Sequence, residues 1–582
     1  MSLLKVRTWS AIALLVMLQA PVTIVGKGGS PPKKRARIDR QIEQIERGDS
    51  SDKVRVIVRS DSTDLGTLLQ SVRSKGVKVR RTHGRTRGIS LEISGKDLRW
   101  LESLAGVDAV SSDAPVATAP ITTEALVAYG PISKAQIKKA SELRALLGLT
   151  DADATGYGIG IAIVDSGIAP VADLASRITA FYDFTNGQNA VAQAPNDGFG
   201  HGTHVAGLAA GSGSRSNGQY SGVAPNARLI GLKVLNSTGA GSTSDVIAAV
   251  EFATANRAAL GLDVINLSVG HPPYESAADD PLVQAVEAAS RAGIIVVVSA
   301  GNIGENPQTK EIGYGGILSP ANAPSAFSVA SAKSMGTINP LDDVIANYSS
   351  RGPTWIDGFA KPDFAAPGHN IVAPAAPGSF LATMYPSLLV GDAFGAKTYL
   401  QLTGTSMAAA VTSGLAAVVV ETNRNRSTFA HPALTPNAVK AFMEYTAFEM
   451  HDAAGVEYDR LTQGAGRLNG AGVLSLARAA NTSTPRGAYW LDAAMVPYSV
   501  YNGVTIPWSQ TLLWGGRLGW GDMIARNAGA FAQNIVWGEN IVWGENIVWG
   551  ENIVWGENIV WSENILWGEK APVTLGKKGG AK

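Results

Sequence analysis

The stretch GIGIAIVDSGI, residues 158–168, decides the fold class of this chain of 582 residues. Its apolar run from Ile159 to Val164 has the length of one strand, and an unbroken apolar run is typical of a strand buried on both faces of a parallel sheet. Asp165 follows directly, at the carboxyl edge where open parallel sheets carry their functional groups. An acid at the end of a strand is also common as a turn residue, so Asp165 alone does not predict a site.

The same pattern returns later in the chain. Apolar strands are predicted at 264–269 and 294–299, and helical spacing is present at 285–293 and 434–447. Strands that alternate with helices form a parallel sheet joined by right-handed crossovers, with helices on both faces. The sequence therefore predicts an α/β domain built on a doubly wound parallel sheet.

Three further polar residues are predicted to reach the same crevice as Asp165. His201 opens the helical segment HGTHVAGLAAG, Asn302 follows a buried strand, and Ser406 lies in LTGTSMAAA. Each has a plainer interpretation: Asn302 as a turn residue, Ser406 as the cap of a helix, and His201 as a metal ligand together with His204. The metal interpretation is disfavoured because no third ligand stands at a suitable spacing.

Taken in chain order, the motifs IVDSGI, HGTHVAG, SGVAPNARL, VINLSVG, VVVSAGN, KPDFAAPG and GTSMA resemble those of the subtilisin-like serine peptidases. The resemblance implies a catalytic triad in which Ser406 is the nucleophile, His201 the general base and acid, and Asp165 the orienting carboxylate. It further implies that the Asn302 side chain donates to the oxyanion and that His204 is a structural residue.

The resemblance also implies where a substrate lies. Two edge strands are expected to hold an extended peptide between them by strand addition. Their positions are Gly239, Ala240 and Gly241 on one side and Ser268, Val269 and Gly270 on the other. The residues that match the walls of the primary pocket, Ile303 and Leu318, are apolar, and no carboxylate matches its base. We therefore expect a neutral, apolar residue before the scissile bond.

The composition of the chain, and the positions where it differs from the family pattern, limit the cofactors and partners that can be expected. The 49 basic and 48 acidic residues give no overall attraction to nucleic acid, and the absence of cysteine excludes disulfides and a thiolate nucleophile. No cofactor is required. A structural calcium ion stays open without an assigned ligand, because the stretch 212–220 lacks a convincing set of oxygen ligands. The run Ala409 to Thr412 departs from the family, which commonly has a proline there.

The N-terminal part is expected to be removed in stages. Residues 1–26 resemble a signal peptide, because Lys5 and Arg7 precede an apolar run too short to span a membrane. Secretion is therefore predicted, with no transmembrane segment left after signal removal. Residues 27–50 are interpreted as a basic linker.

Residues 51–113 have the periodicity βαββαβ, which predicts a small α+β ferredoxin-like module. Given the family resemblance, this module looks like an inhibitory propeptide that assists folding and is then cut away, so the chain's own propeptide is an expected intramolecular partner. The Ala/Thr/Pro-rich stretch 114–139 is interpreted as a cleavable linker.

The resemblance to the peptidases covers residues 140–480, and a C-terminal extension at 481–533 follows. Residues 534–569 repeat Asn-Ile-Val-Trp-Gly-Glu six times, with Ser562 and Leu566 as small deviations, and 570–582 are expected to be a flexible basic tail. Three interpretations of the repeats stay open. The first is a β structure that binds a cell surface, a glycan or another copy of itself. The second is a segment that is ordered only weakly or on binding, and the third is a structural cap on the peptidase.

The predicted function is that of a secreted serine endopeptidase that acts on polypeptide substrates through an acyl-enzyme and processes its own precursor. The alternative is a surface or binding protein in which the Trp-rich tail has the main role and the peptidase domain acts only on itself. No nucleic-acid partner is expected.

Overall fold

The computed structural model describes residues 36–48, 51–61, 65–118, 141–306, 308–425, 433–484, 490–501, 503–514 and 517–520. The predicted signal peptide, the hexapeptide repeats and the basic tail lie outside these residues, as does most of the predicted cleavable linker.

The apolar strand within residues 158–168 lies in the middle of the main sheet. The strands and helices from residue 141 onward are α4 (Glu142–Leu146), β7 (Gly160–Asp165), β8 (Ile178–Asp183), β9 (Val191–Ala192), α5 (His201–Ala210), β10 (Arg228–Lys233), β11 (Ala240–Ser242), α6 (Thr243–Ala255), α7 (Arg257–Leu260), β12 (Val264–Leu267), α8 (Pro281–Arg291), β13 (Ile295–Ser299), β14 (Phe327–Lys333), β15 (Val344–Ile345), β16 (Phe364–Pro367), β17 (Ile371–Pro374), α9 (Phe380–Met384), β18 (Leu389–Gly391), β19 (Lys397–Leu402), α10 (Thr405–Arg424), α11 (Pro436–Thr446), α12 (Arg460–Gln463), α13 (Gly470–Ala479), β20 (Tyr498–Tyr501), β21 (Val504–Pro507), β22 (Thr511–Trp514) and β23 (Arg517–Trp520).

Within the described residues the main sheet has the strand order β15-β14-β13-β12-β7-β10-β8-β9, with β16 paired to β14. The pairs from β14 through β8 run parallel, and the outermost strands β15 and β9 are antiparallel to their neighbours. Since β7 lies between β12 and β10, its carboxyl end opens near the centre of the sheet. This is the doubly wound sheet that the sequence predicts.

Alternate residues of β7 enter two separate apolar cores. Ile161 and Ile163 pack with α5 and α10 on one face of the sheet, whereas Ala162 and Val164 pack with α6 and α8 on the other. The side-chain period of a strand is two, so a strand covered on both faces must be apolar throughout. The unbroken apolar run in the sequence follows from this double burial.

Helix α10 is the central helix of one core. It is long and apolar enough to span a membrane by length and composition, but 94% of its most apolar window is buried inside the protein. It contacts α5, β12, β13 and β14. Ser406 is thus carried on a helix whose position is fixed on almost every side.

The residues before 118 form an N-terminal unit with its own core. Its elements are β1 (Arg37–Ile38), α1 (Arg40–Arg47), β2 (Lys53–Ser60), α2 (Gly66–Ser74), β3 (Lys78–His83), β4 (Gly88–Ser94), α3 (Leu98–Glu102) and β5 (Val107–Ser112), followed by the short strand β6 (Pro115–Ala117). In the described part its sheet has the order β1-β5-β2-β4-β3. The elements from β2 to β5 appear in the order βαββαβ that the periodicity of 51–113 indicates.

The prediction of a linker at 27–50 was wrong for residues 40–47, which form α1. The Asp39 side chain caps this helix by accepting from the Ile42 N–H at 2.7 Å, and Ile42 is buried in the core of the unit. Glu43 and Arg47 pair across one turn. The basic composition of the segment concealed an amphipathic helix.

The prediction of a loose linker from residue 114 was also wrong for its first residues, because 115–117 form β6. This strand pairs antiparallel with β11, and Val116 is fully buried. A segment without apolar periodicity becomes ordered here because the facing edge strand supplies its hydrogen bonds.

The peptidase core continues beyond the predicted boundary at residue 480. Three aromatic side chains from the C-terminal extension pack on aromatic residues of α11 and the segment after it, with ring centroids 5.5 to 5.9 Å apart. The pairs are Trp490 with Phe442, Trp508 with Tyr445, and Tyr501 with Phe448. The described part of the extension is therefore a layer of this domain.

Candidate active site

Asp165 and His201 meet at the carboxyl edge of the sheet. Asp165 is the last residue of β7 and fully buried, and His201 is the first residue of α5 and 5% exposed. The His201 Nδ1 atom lies 2.9 Å from both carboxylate oxygens of Asp165. A carboxylate at this distance fixes the tautomer with the proton on Nδ1, which leaves Nε2 to accept a proton.

The corner between β7 and α5 is too tight for any residue but glycine at 202. A Cβ atom there would lie 2.1 Å from the Gly167 carbonyl oxygen and 3.1 Å from the Asp165 Cβ. The Gly202 N–H donates to the Ser166 hydroxyl at 3.0 Å. This close approach is what brings the first residue of the helix onto the last residue of the strand.

Asp197 holds the same corner and was missed by the sequence interpretation. Its carboxylate is buried and accepts from the Gly200 N–H at 2.8 Å, from the Thr203 N–H at 2.8 Å and hydroxyl at 2.6 Å, and from the Ser166 hydroxyl at 2.9 Å. It thereby ties the loop before His201 to both elements. The signal in the sequence was an Asp shortly before a helix start, which alone predicts only a cap.

Ser406 lies in the first turn of α10, at the same edge of the sheet. Its Oγ donates to the Ser268 carbonyl oxygen at 3.4 Å, and the Ser268 hydroxyl donates to the Ser406 carbonyl oxygen at 3.2 Å. The first N–H groups of a helix lack intrahelical partners and form its positive dipole end. The Thr405 N–H donates to Asn302 and the Met407 N–H to the Gly404 carbonyl, whereas the Ser406 N–H has no hydrogen-bond partner in the part of the chain that the structure describes.

Asn302 follows β13 and faces the start of α10. Its side-chain oxygen accepts from the Thr405 N–H at 3.0 Å and from the Thr405 hydroxyl at 2.8 Å, and this hydroxyl accepts from the Gly301 N–H at 3.2 Å. This network assigns the orientation of the amide, because both Thr405 groups need an acceptor. The Asn302 NH2 group is then turned toward Gly404, where an added Cβ would lie 3.0 Å from it.

Of the two predicted substrate strands, residues 240–242 form β11, whereas residues 268–270 follow the end of β12 and contribute one bridge at Gly270; β6 pairs with both. Val116 pairs with Gly241 and Ala117 with Ala240, while Ala117 also exchanges backbone hydrogen bonds with Gly270, of 3.3 and 3.5 Å. Of the six predicted positions, Ala240, Gly241 and Gly270 thus pair with an extended segment of the same chain, and Gly239, Ser268 and Val269 are their neighbours in sequence.

His204 lies in the core beneath the site. Its Nε2 donates to the carbonyl oxygens of Ile371 at 3.2 Å and Leu400 at 2.9 Å. Burial lowers the pKa of His204 to about 3, so the ring is neutral. Among the described residues, no group of three or more His, Asp or Glu side chains is arranged to hold a metal ion. Calcium binding stays a prediction without ligands.

The model of the subtilase family (peptidase S8) matches residues 156–473, which is more than half of the chain. The chain belongs to the subtilase family. Serine protease AprX of Bacillus subtilis is 39% identical over 295 residues, covering 50% of this subtilase and 61% of AprX. Subtilisin DY of Bacillus licheniformis is 33% identical over 299 residues, covering 51% of this subtilase and 86% of that protein.

Solved structures agree on the fold of this subtilase. Fervidolysin from Fervidobacterium pennivorans, a keratinolytic enzyme related to subtilisin, has a TM-score of 0.56 and 22% identity, covering 76% of this chain and 63% of that one. The epidermin leader peptide processing serine protease of Staphylococcus aureus has a TM-score of 0.52 and 18% identity, covering 73% and 99%. At these identities the likeness concerns the fold alone.

Proposed function

We propose that this subtilase is a secreted serine endopeptidase, made as a precursor, that hydrolyses peptide bonds through an acyl-enzyme. The observation that carries the proposal is the hydrogen-bonded pair of His201 and Asp165 at the sheet edge where α10 presents Ser406. The predicted signal peptide supports secretion.

Peptide cleavage requires a proton transfer at each step. The Ser406 Oγ attacks the substrate carbonyl carbon while His201 Nε2 takes the hydroxyl proton, and Asp165 stabilises the imidazolium that forms. His201 then gives this proton to the leaving amine as the C–N bond breaks, which leaves the acyl group on Ser406. A water molecule, deprotonated by His201, releases the acyl group as a carboxylic acid and restores the serine.

The negative charge of the tetrahedral intermediate needs donors already in place. The Asn302 NH2 group and the Ser406 N–H at the start of α10 are proposed to supply them. Since the Thr405 groups hold the other end of the Asn302 amide, little reorganisation is required when the charge develops.

The N-terminal unit is proposed to act as an intramolecular inhibitor. Its strand β6 lies where an extended substrate would add to β11, and β6 also pairs with Gly270, so its backbone is hydrogen-bonded on both edges. Self-cleavage is proposed to occur within the stretch 114–139 that the sequence assigns to a cleavable linker.

Substrate selection is proposed to favour a neutral, apolar residue before the scissile bond. The Leu318 side chain lies beside both Gly301 and Gly270, at 2.8 and 3.4 Å from the positions their Cβ atoms would take, and Ile303 is half exposed next to Gly316. Apolar walls of this kind offer no partner to a Lys or Arg side chain. A peptide panel with strict cleavage after Arg would contradict this preference.

The test of the function uses the full chain and Ser406→Ala. The wild type is expected to cleave itself between about residues 112 and 140 and to be labelled covalently at Ser406 by a fluorophosphonate, whereas Ser406→Ala does neither. Mass spectrometry of the purified products locates both the cut and the label. A wild type that is folded but neither matures nor labels rules out the peptidase.

A further inference from the structure

One arginine of the N-terminal unit passes into the peptidase domain. Arg81 lies on β3, away from the strand in the cleft, and its side chain is 2% exposed. Its guanidinium donates to the carbonyl oxygens of Phe184 at 3.0 Å and of Ser244 at 3.3 Å, and also to that of Gln188. It pairs with the Asp245 carboxylate, 3.2 Å away.

The residues around it form a receptor made of oxygen acceptors, which we call the arginine socket: Phe184, Gln188, Ser244 and Asp245. Asp245 lies in the first turn of α6 with a side chain that is 6% exposed, and the Gly187 N–H donates to it at 3.3 Å. The Arg81 Nη2 atom faces Phe184, Gln188 and Asp245, and its Nη1 atom faces Ser244. A guanidinium presents two such donor nitrogens in one plane, whereas an ammonium group presents a single nitrogen.

The socket is continuous with the substrate cleft. Helix α6, which carries Ser244 and Asp245, begins directly after β11, the strand that pairs with β6. Asp113, just before β6, accepts from the Ser244 N–H at 2.8 Å and hydroxyl at 2.9 Å. Ser244 therefore contacts both the arginine in the socket and the segment that enters the cleft.

Among the residues that the structure describes, two other ion pairs between the unit and the domain share one partly exposed partner, Asp279. The Arg37 side chain is 48% exposed, and the Arg59 side chain is 5% exposed but lies 4.0 Å from Asp279, whose side chain is 25% exposed. Exposed pairs of this kind contribute little, whereas leaving one member of a buried, hydrogen-bonded pair alone is strongly destabilising. Burial raises the pKa of Asp245 and lowers the pKa of Arg81, because desolvation disfavours the charged form of each group. Each charge therefore needs the other to offset its desolvation.

We propose that the arginine socket is the site by which the peptidase domain recognises its inhibitor, and that filling it with an arginine from a strand is required to seat β6 stably in the cleft. This inference rests on the proposed inhibitory role of the N-terminal unit. It assigns the partner by chemistry: an N-terminal unit that presents a guanidinium at the position of Arg81.

The test uses the full chain with Ser406→Ala, so that no self-cleavage occurs. Hydrogen exchange followed by mass spectrometry reports the ladder between β6 and β11, and the ladder between β2 and β4 reports whether the N-terminal unit is folded. Arg81→Ala and Asp245→Asn are each expected to speed exchange in the β6–β11 ladder by on the order of 10²-fold or more, as loss of one partner of a buried pair implies. The exchange rate of Arg81→Lys in this ladder should lie between the rates of these two variants and that of the Ser406→Ala chain.

Lys78→Ala is the matched control, because Lys78 is an exposed cation on the same strand. Its β6–β11 ladder should exchange at the same rate as in the Ser406→Ala chain. In the double variant Arg81→Ala/Asp245→Asn, the exchange rate in the β6–β11 ladder should rise by less than the product of the two single-variant increases, since no lone buried charge is left.

The inference is overturned if Asp245→Asn, which leaves the N-terminal unit unaltered, exchanges like Lys78→Ala in the β6–β11 ladder. It is also overturned if Arg81→Ala speeds that ladder only when the β2–β4 ladder has opened as well. Neither readout needs peptidase activity. A wild type that fails to label at Ser406 therefore removes the proposed function, whereas an unchanged ladder removes the socket alone.

Discussion

The carboxylate of Asp197 offers the sharpest test of how this subtilase positions His201. Asp197→Asn keeps one oxygen for the Gly200 N–H and the Ser166 hydroxyl but turns an NH2 group toward Thr203, whose N–H and hydroxyl now donate to that carboxylate. The hydroxyl can rotate to another acceptor, but the buried N–H cannot. Because hydrogen bonds to a charged group contribute about 1.5–3 kcal/mol each, we expect the variant to lose about 2–4 kcal/mol of stability.

Activity should fall as well, because the loop that Asp197 holds ends at His201. A displacement of a catalytic group by about 1 Å costs on the order of 10²-fold in rate, so kcat/KM of Asp197→Asn should fall by that order. Hydrolysis of a fluorogenic peptide measures this loss. Guanidinium chloride unfolding of the Ser406→Ala chain with and without Asp197→Asn measures the stability.

Asn196→Ala is the control for both assays, because Asn196 is the exposed neighbour in the same loop and its side chain bonds only to the Ala194 carbonyl among the described residues. It should leave stability and kcat/KM near the wild-type values. If Asp197→Asn matches this control in both assays, the carboxylate does not hold the corner. If stability falls while kcat/KM stays unchanged, Asp197 is structural and does not position His201.

Three more outcomes are expected. Asn302→Ala should lower kcat by about 10²- to 10³-fold with little change in KM, because it removes a donor that acts on the transition state; equal losses in binding and kcat would contradict that role. Burial lowers the pKa of His83 to about 3, so the unfolded chain binds a proton below its ordinary pKa of about 6.5 while the native chain does not. Stability should therefore fall by about 1 kcal/mol between pH 6.5 and 5.5, and His83→Gln should remove that share of the loss in denaturant titrations at the two pH values. Trp490→Ala should cost about 3–5 kcal/mol by cavity formation against Phe442, whereas Trp355→Ala, which alters a side chain 64% exposed, should cost little; equal midpoints in guanidinium chloride would show that the extension is not part of the core.

The sequence could indicate the doubly wound sheet because double burial leaves a local record. A strand covered on both faces must be apolar at every position, as Ile161 to Val164 are, and that record does not depend on which strands flank it. The order of Asp165, His201, Asn302 and Ser406 at strand ends and helix starts is local in the same way.

The sequence misjudged segments whose structure depends on distant partners. Strand β6 has no apolar alternation of its own, and it is a strand only because β11 and Gly270 offer unpaired backbone groups on both sides. The aromatic residues after residue 480 follow no α/β pattern, and they belong to the core because α11 presents aromatic rings to them.

By itself, the sequence determined which residue types stand at the carboxyl edge of the sheet, since strand burial and helix starts are recorded within a few neighbouring residues. Only the tertiary structure decided what holds them there. The Asp197 carboxylate, the Thr405 bonds to Asn302 and the arginine socket join residues from different elements by hydrogen bonds, over separations of up to 163 residues. Hydrogen-bond geometry of that kind has no period along the chain, and it exists only once the layers have packed.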